Sequence, residues 1–377
     1  MGRKKSGLEL YLHIPFCIKK CDYCDFLSGP STRTGQESYI YALLREIKAV
    51  SAVEKRSVDT VFIGGGTPSV PECDVMEKLL QGLQENFHFS PNAEITIEAN
   101  PGTLTSEKLA LYRKYGINRI SIGLQSPKDE ELEVLGRIHN YRQFLESYQM
   151  ARKAGFSNIN VDMMFAIPGQ SYEGWIENLR TVAELGPEHI SAYSLIVEEG
   201  TPFSKRELEL PDEDTEYRMY EDVAKVLGEY DYHQYEISNY AKENRECRHN
   251  EGYWQRKDYL GLGLGAASLI GNERFTNTRD MQEYLENSGV PERIRKDREV
   301  LTEKDEMAEF MFLGLRMTEG VSKAEFQEYF GNAVEKIYGE VLEKYKRQGM
   351  LAEKENRIFL TRAGIHVSNV VMADFLL

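Results

Sequence analysis

Short apolar runs alternate with longer segments of helical periodicity along the first half of the chain. The apolar runs cover residues 8–14, 60–63, 94–99, 119–123, 160–165 and 189–195. Between them, apolar positions recur at helical spacing over residues 37–50, 75–86, 106–115, 141–154 and 172–185. Strands that alternate with helices are typical of βα units, so the pattern predicts an α/β fold with a parallel sheet.

Six such units suit either a barrel or a doubly wound open sheet, and the polar residues favour the barrel. Polar residues or glycines lie at or just beyond the carboxyl ends of the runs, namely Cys17, residues 64–67, Glu98, Gln125, Asp162 and Ser194. Barrel enzymes place their chemistry at that end of the strands. We expect the other inward-facing residues of the strands to be apolar.

The pattern changes near residue 301. Helical segments at 303–316, 323–330 and 334–347 precede a hairpin over 350–360 and a last helix from 362. We therefore predict a barrel with its extension over residues 1–290 and a winged-helix-like domain over residues 291–377. Residues 301–377 hold 10 basic and 13 acidic residues. Because a DNA-reading wing is usually basic, we expect a module that packs or binds a partner.

Composition and charge exclude several classes of protein. The chain has 377 residues, of which 41% are hydrophobic and 28% charged, which is ordinary globular composition. The net charge of −15 argues against a nucleic-acid partner. No apolar run reaches the roughly 20 residues that span a bilayer, and the basic residues 3–5 are not followed by an apolar signal segment. We therefore expect a cytoplasmic protein with no integral membrane segment.

Three of the five cysteines lie close together, in the spacing C-x3-C-x2-C. They are Cys17, Cys21 and Cys24, whereas Cys73 and Cys247 stand alone. Three thiolates on one loop suit a [4Fe–4S] cluster whose fourth iron stays open. The alternative is a zinc site that Cys247 or a histidine completes. A disulfide framework would suit a secreted chain, which we do not expect here.

The segments around these cysteines resemble a known superfamily. YLHIPFC at 11–17, CDF at 24–26 and GGGTPS at 64–69 are similar to motifs of the radical S-adenosylmethionine superfamily, and most similar to the branch of anaerobic coproporphyrinogen III oxidase and the HemW-type haem chaperones. The resemblance implies a partial (β/α)6 barrel and a [4Fe–4S] cluster on Cys17, Cys21 and Cys24. It also implies cleavage of S-adenosylmethionine to a 5′-deoxyadenosyl radical, with electrons from a donor such as a flavodoxin or ferredoxin.

The same resemblance implies the residues that contact S-adenosylmethionine. They are Tyr11, Gly65, Gly66, Thr67, Glu98, Gln125, Arg137 and Asp162. Several of these assignments have structural alternatives. Residues 64–67 suit a plain strand-ending turn, Arg137 suits a solvated arginine, and Asp162 suits a cap. Glu98 lies in an otherwise apolar strand, so it needs a partner such as an ammonium group or a ribose hydroxyl.

Two departures set the chain apart from the oxidase pattern. The oxidases carry a fourth cysteine where this chain has Phe26, and they carry a substantial segment before the cysteine loop, for which Cys17 comes too early here. We therefore expect the capacity to cleave S-adenosylmethionine without coproporphyrinogen oxidase activity.

The segment HNEGYW at 249–254 resembles the H-N-x-x-Y-W motif of the chaperone branch. The resemblance implies haem binding by His249, Asn250, Tyr253 and Trp254, with histidine as an iron ligand. Without the resemblance, the segment suits an ordinary structural histidine beside core aromatic residues. Many relatives have a histidine where this chain has Ala267. The function we expect is a haem chaperone that transfers haem to a haem-accepting protein. The alternatives are coproporphyrinogen III oxidase and a zinc-stabilised regulatory module without redox chemistry.

Overall fold

A computed structural model describes residues 7–377, so the basic residues 3–5 lie outside the described part. Six parallel strands lie side by side in chain order. They are β1 (Leu8–Ile14), β2 (Val58–Gly65), β3 (Phe89–Ala99), β4 (Arg119–Gln125), β5 (Ile159–Phe165) and β6 (His189–Ser194). A doubly wound sheet would reverse its order at a switch point, so this order confirms the expected partial barrel.

Helices connect these strands and cover the outer face of the sheet. They are α1 (Arg33–Ser51), α2 (Cys73–Asn86), α3 (Ser106–Lys114), α4 (Asp129–Val134), α5 (Tyr141–Lys153) and α6 (Tyr172–Glu184). Side-chain caps start several of them: Thr32 accepts from the Gly35 amide, and Asn140 forms a capping box with Gln143. The outward-facing Leu10, Val61 and Ile122 are buried in the core beneath these helices.

The inner face of the strands is polar, so the expectation of apolar filling is wrong. Asn160 donates from Nδ2 to the Ser121 hydroxyl (2.8 Å), and its Oδ1 lies 2.6 Å from His189 Nδ1. The Tyr235 hydroxyl lies 2.8 Å from the other ring nitrogen of His189. Arg119 is fully buried among these groups, and desolvation together with its charge lowers the pKa of His189. The helices take up the apolar face, and hydrogen bonds satisfy much of the polar interior.

An extension continues the sheet at both edges, to twelve strands in all among the described residues. Its elements are α7 (Glu213–Gly228), β7 (His233–Gln234), β8 (Asn239–Ala241), α8 (Arg248–Trp254), β9 (Tyr259–Leu262), β10 (Ala267–Ile270), β11 (Glu273–Asn277), α9 (Met281–Asn287), α10 (Pro291–Ile294) and β12 (Arg295–Val300). β9 pairs parallel with β1, and β8 pairs antiparallel with β6. The sheet therefore stays open and presents a concave inner surface.

Glu46 on α1 fastens the extension to the barrel. Its carboxylate accepts from the Gly263 amide (2.9 Å), from Asn277 Nδ2 (2.7 Å) and from the Tyr284 hydroxyl (2.6 Å). Burial raises the pKa of Glu46 to about 7, although all three hydrogen bonds oppose the shift. One buried side chain thus joins α1 to the β9–β10 turn, to the end of β11 and to α9.

The last part of the chain has a core of its own. It contains α11 (Glu303–Gly314), β13 (Val321–Ser322), α12 (Lys323–Phe330), α13 (Val334–Arg347), β14 (Leu351–Lys354), β15 (Arg357–Leu360), α14 (Arg362–His366) and α15 (Ser368–Ala373). These helices and a three-stranded sheet in the order β13-β15-β14 form the predicted winged-helix-like arrangement. The strand β13 precedes α12, and β14 and β15 form the predicted hairpin. The boundary between residues 290 and 291 stays a prediction.

A buried ion cluster holds α11 against the extension. The Glu309 carboxylate accepts from Arg256 Nε (2.5 Å) and from Arg274 Nη2 (2.6 Å), and the side chains of Glu309 and Arg256 are almost fully buried. Breaking such a cluster by removing one partner is costly, because the remaining charges are left without compensation. Among the helices of residues 7–377, none combines the length and the apolar character that crossing a membrane requires.

We expect Glu46→Ala to lower the free energy of unfolding by about 3 kcal/mol, because three buried donors would lose their acceptor. Glu46→Gln should lose less, since its side-chain oxygen still accepts. The measurement is chemical denaturation of each purified variant. Glu37→Ala on the same helix is the control, because the Glu37–Arg33 pair is partly exposed and should contribute little. Equal losses in Glu46→Ala and Glu37→Ala would contradict the anchoring role of Glu46.

Candidate functional site

The loop that carries the three cysteines follows β1 and is held at both ends. The Cys17 amide donates to the Gly29 carbonyl, and the Gly29 amide donates to the Pro15 carbonyl, both at 3.0 Å. In the middle of the loop, the Asp22 amide donates to the Leu135 carbonyl (3.1 Å). These bonds close the loop over the carboxyl ends of the parallel strands.

The thiols of Cys17, Cys21 and Cys24 are free, half-buried and contribute to the wall of one cavity of about 410 Å³, the cluster cavity. Two side chains donate to the sulfur atoms: Thr67 Oγ1 lies 3.6 Å from Cys17 Sγ, and Arg137 Nη1 lies 3.5 Å from Cys21 Sγ. Burial raises the pKa of the Cys24 thiol, while the Phe26 amide and nearby Lys20 oppose the shift.

Most of the residues expected to contact S-adenosylmethionine line the same cavity. They are Gly65, Gly66, Glu98, Gln125, Arg137 and Asp162. Thr67 joins this group through its hydrogen bond to Cys17. Tyr11 lines a neighbouring cavity of about 330 Å³, whose wall also includes Gly65 and Glu98. The structure therefore brings the predicted residues together, with Tyr11 at the margin.

Two carboxyl groups that line the cluster cavity, those of Glu98 and Asp162, have pKa values above their ordinary range. Burial, and then the charge of Asp162, raise the pKa of Glu98 to about 8. Burial also raises the pKa of Asp162, although Asn160, Ser191 and Ser121 donate hydrogen bonds to it. A cationic ligand would favour the ionised form of both groups, so the cavity suits an ammonium or sulfonium group.

The glycines at and just after the end of β2 have a structural role as well as lining the site. Gly65 has a positive φ of +111°, and a Cβ there would lie 2.5 Å from the His13 ring. A Cβ on Gly66 would lie 2.7 Å from the Phe16 carbonyl oxygen. The close approach at Gly66 is to the beginning of the cysteine loop, where the Gly66 amide donates to the Ile14 carbonyl (2.9 Å).

Sequence reasoning missed two residues of this site. Asn100 donates from Nδ2 to Thr67 Oγ1 (2.7 Å) and accepts from Arg137 Nη2 (2.8 Å), so it links the donors to two cysteines. Tyr193 donates to Gln125 Oε1 (2.8 Å). A signal for Asn100 was present, because it stands two residues after Glu98 and alternate residues share one face of a strand.

The donor set fits a multi-iron cluster better than a single metal ion. Within residues 7–377, no three His, Cys, Asp or Glu side chains converge closely enough to hold one ion. Each thiolate of a four-iron cluster binds a different iron, so its ligands need not converge on one point as zinc ligands must. Cys247 is not at this rim, because its buried thiol lies 3.7 Å from Glu94 Oε1 on the inner face of β3.

His249 lies near the amino-terminal ends of the strands, away from the cysteine loop. Its Nδ1 is 2.7 Å from the Thr60 hydroxyl near the start of β2, and its Nε2 is 2.9 Å from the Tyr253 hydroxyl. The ring stacks on Phe62 with centroids 5.3 Å apart. Burial and the charge of Arg119 lower the pKa of His249 to about 3, so the imidazole is neutral. Thr60 and Tyr253 occupy its two nitrogens.

The aromatic residues of α8, the helix that carries His249, are more accessible than His249 itself. Tyr253 and Trp254 line a cavity of about 340 Å³, the aromatic cavity, together with Tyr11, Tyr259 and Leu313. Asn250 is half-buried on α8. Trp254 also stacks against the Arg316 guanidinium, 4.2 Å from the ring centroid.

Comparison with known proteins places the chain in a family. The model of the radical SAM superfamily matches residues 11–182, and that of the HemN C-terminal domain matches residues 301–367. The heme chaperone HemW of Bacillus subtilis (strain 168) is 37% identical and covers 97% of this chain and 98% of its own. That of Escherichia coli (strain K12) is 35% identical and covers 99% of each chain.

The fold also matches a solved structure. Coproporphyrinogen III oxidase (HemN) from Escherichia coli superposes with a TM-score of 0.87, over 98% of this chain and 90% of that chain, at 23% identity. At that identity the likeness concerns the fold alone. The full-length identities and the two domain matches show that this chain belongs to the radical SAM superfamily and, within it, to the HemW family.

Proposed function

We propose that this protein is a haem chaperone that binds haem and transfers it to a haem-dependent partner protein. The observation that carries the proposal is the match, over nearly the whole of both chains, to relatives named heme chaperone HemW. The aromatic cavity supports it, because exposed aromatic faces suit a planar apolar ligand. The net charge of −15 supports a protein partner over a nucleic acid.

Cys17, Cys21 and Cys24 would hold a [4Fe–4S] cluster at the rim of the cluster cavity. When bound together, the cluster and S-adenosylmethionine supply reductive cleavage of the sulfonium, with electrons from a donor such as a flavodoxin or ferredoxin. The chain's own residues would bind and orient S-adenosylmethionine, because Glu98 and Asp162 favour its cationic end. Thr67 and Arg137 donate to the sulfur atoms, which stabilises thiolates.

In the same proposal, the α8 residues His249, Asn250, Tyr253 and Trp254 form the haem-binding segment. Tyr253 and Trp254 already face a cavity. Ligation of iron by one ring nitrogen of His249 requires that nitrogen to exchange its hydrogen bond, to Thr60 or to Tyr253, for an iron–nitrogen bond. The other ring nitrogen keeps its partner, which helps to orient the imidazole. The lost hydrogen bond contributes about 1 kcal/mol net, so an iron–imidazole bond would offset its loss.

Coproporphyrinogen III oxidase activity is the second candidate, because the motifs at residues 11–17 and 64–69 also resemble those of the oxidase branch. Phe26 argues against it, because this residue replaces the fourth cysteine of the oxidase pattern. Its side chain is exposed and contributes to the rim of the cluster cavity. A phenyl ring offers neither a ligand nor a proton donor there.

We expect Cys17→Ala, Cys21→Ala and Cys24→Ala each to lose most of the bound iron and the broad visible absorbance of the cluster. Each substitution leaves one more iron without a protein ligand. The measurement is iron content and visible absorbance after anaerobic reconstitution. Cys73→Ala and Cys247→Ala are the matched controls and should keep the cluster. Loss of metal in Cys247→Ala would instead favour the four-ligand zinc site.

We expect no conversion of coproporphyrinogen III by the reconstituted protein with reductant and S-adenosylmethionine, because the oxidase cysteine is absent at Phe26. Porphyrinogen product is measured by chromatography, with a coproporphyrinogen III oxidase as the positive control. Methionine and 5′-deoxyadenosine, followed in the same samples, report cofactor cleavage separately. Product formation at turnover would establish the second candidate in place of the chaperone.

We expect His249→Ala to weaken haem binding by roughly tenfold or more and to shift the Soret band, while the cluster keeps its absorbance. Titration of haem into the reconstituted protein, followed by visible absorbance, measures the haem affinity and the position of the Soret band. Thr60→Val is the matched control, because it removes one hydrogen bond to the ring and leaves the imidazole in place. A folded His249→Ala variant with unchanged affinity and Soret band would exclude iron ligation by His249. A wild-type protein that binds no haem would overturn the proposed function itself.

A further inference from the structure

Three cavities adjoin along the concave inner surface of the open sheet. The cluster cavity shares Asp25, Phe26, Gly65 and Glu98 with the cavity of about 330 Å³. That middle cavity in turn shares Tyr11 and Ala267 with the aromatic cavity of about 340 Å³. The middle and aromatic cavities together form one groove over the inner side of β1, β9 and β10. We call it the side groove, and its upper end opens beside the cysteine loop.

The lower half of the side groove has aromatic walls. The rings of Tyr253 and Tyr259 meet edge to face with centroids 4.7 Å apart, and Tyr11 and Trp254 complete the wall. Trp254 Nε1 is buried, and within residues 7–377 it has no hydrogen-bond acceptor. Rings held in this way offer large apolar faces at little cost in conformational entropy, which suits a flat ligand.

The position of Tyr11 between the two halves is fixed by hydrogen bonds. His13 Nε2 lies 2.8 Å from the Leu27 carbonyl, and because a carbonyl only accepts, this nitrogen carries the proton. His13 Nδ1 is left to accept from the Tyr11 hydroxyl at 3.0 Å. The Tyr11 ring is therefore a rigid part of the groove wall.

The upper half of the side groove contains one cation without a partner. Arg279 is exposed in this wall, lies over Gly265, and makes no hydrogen bond or ion pair with any of residues 7–377. Arg274 in the lower half is different, because Glu309 holds it at 2.6 Å. The acidic residues in this wall are Asp25 and Glu98, and burial raises the pKa of Glu98 to about 8.

We infer that the side groove holds the tetrapyrrole plane of the proposed haem ligand and that Arg279 binds one of its carboxylate side chains. The inference rests on the proposed function and adds the position and the polar anchor of the ligand. A guanidinium pairs with a carboxylate through two parallel hydrogen bonds, which fixes orientation as well as affinity. In a chain of net charge −15, an unpaired arginine beside an aromatic groove matches a flat, apolar anion.

The test compares haem with haem dimethyl ester, in which the carboxylates are neutral, on the anaerobically reconstituted full-length protein. We expect the wild-type protein to bind haem about tenfold more tightly than the ester. Arg279→Gln should bind the two equally, because its loss removes only the carboxylate contact. Arg293→Gln, which removes an exposed arginine outside the side groove, is the matched control and should keep the preference.

A second variant tests the groove itself. Ala267 lies where the middle and aromatic cavities meet, so Ala267→Phe should fill the junction and weaken both ligands by about tenfold or more. Melting temperature and cluster absorbance should stay at wild-type values.

Haem binding that keeps its preference over the ester in Arg279→Gln would overturn the anchor, and unchanged binding in Ala267→Phe would overturn the groove. Weaker binding of S-adenosylmethionine in Arg279→Gln, with haem unaffected, would assign the arginine to the other ligand. Absence of haem binding in the wild-type protein would overturn this inference together with the proposed function.

Discussion

Two main-chain hydrogen bonds decide where the chemistry of this protein lies. The amides of Gly66 and Thr67, just after β2, donate to the carbonyls of Ile14, the last residue of β1, and of Phe16, two residues beyond it. The cysteine loop starts from that point, so the backbone just after β2 sets the position of the thiols on the loop that follows β1. The Thr67 hydroxyl then contacts Cys17, and Asn100 connects it to Arg137 and so to Cys21. Residues distant in sequence form one rigid rim for this reason.

The sequence predicted the parts of the fold that depend on local pattern. Strand–helix alternation, the cysteine loop and the final hairpin are such features, because periodicity and spacing encode them directly. The polar interior could not be predicted in this way. A single sequence does not show that Asn160 hydrogen-bonds with His189, or that Arg119 is buried beside them, across neighbouring strands. Apolar filling of the interior was therefore the simpler expectation.

The candidate site divides along the same line. The thiol of Cys17 and the carboxyl groups of Glu98 and Asp162 are recognisable in the sequence as candidate ligand-binding groups. The structure brings them together around one cavity. His249 shows the limit, because its motif indicates a ligand while its surroundings satisfy both ring nitrogens. Those partners are Thr60, which is distant in the chain, and Tyr253, one helical turn away. A sequence motif identifies a residue that is able to bind a metal. Only the structure shows which existing hydrogen bonds the residue must break to do so.

The ion cluster at Glu309 ties the aromatic cavity to the position of the C-terminal region. Arg274 and Leu313 both contribute to the wall of that cavity, and Glu309, one turn before Leu313 on α11, holds Arg274. The shape of this part of the cavity wall therefore depends on where α11 lies. A protein that binds the C-terminal region and displaces α11 would weaken the hold on whatever occupies the cavity, and by thermodynamic reciprocity the occupant would oppose that displacement. Occupancy of the cavity and displacement of α11 would each lower the affinity of the ligand that favours the other.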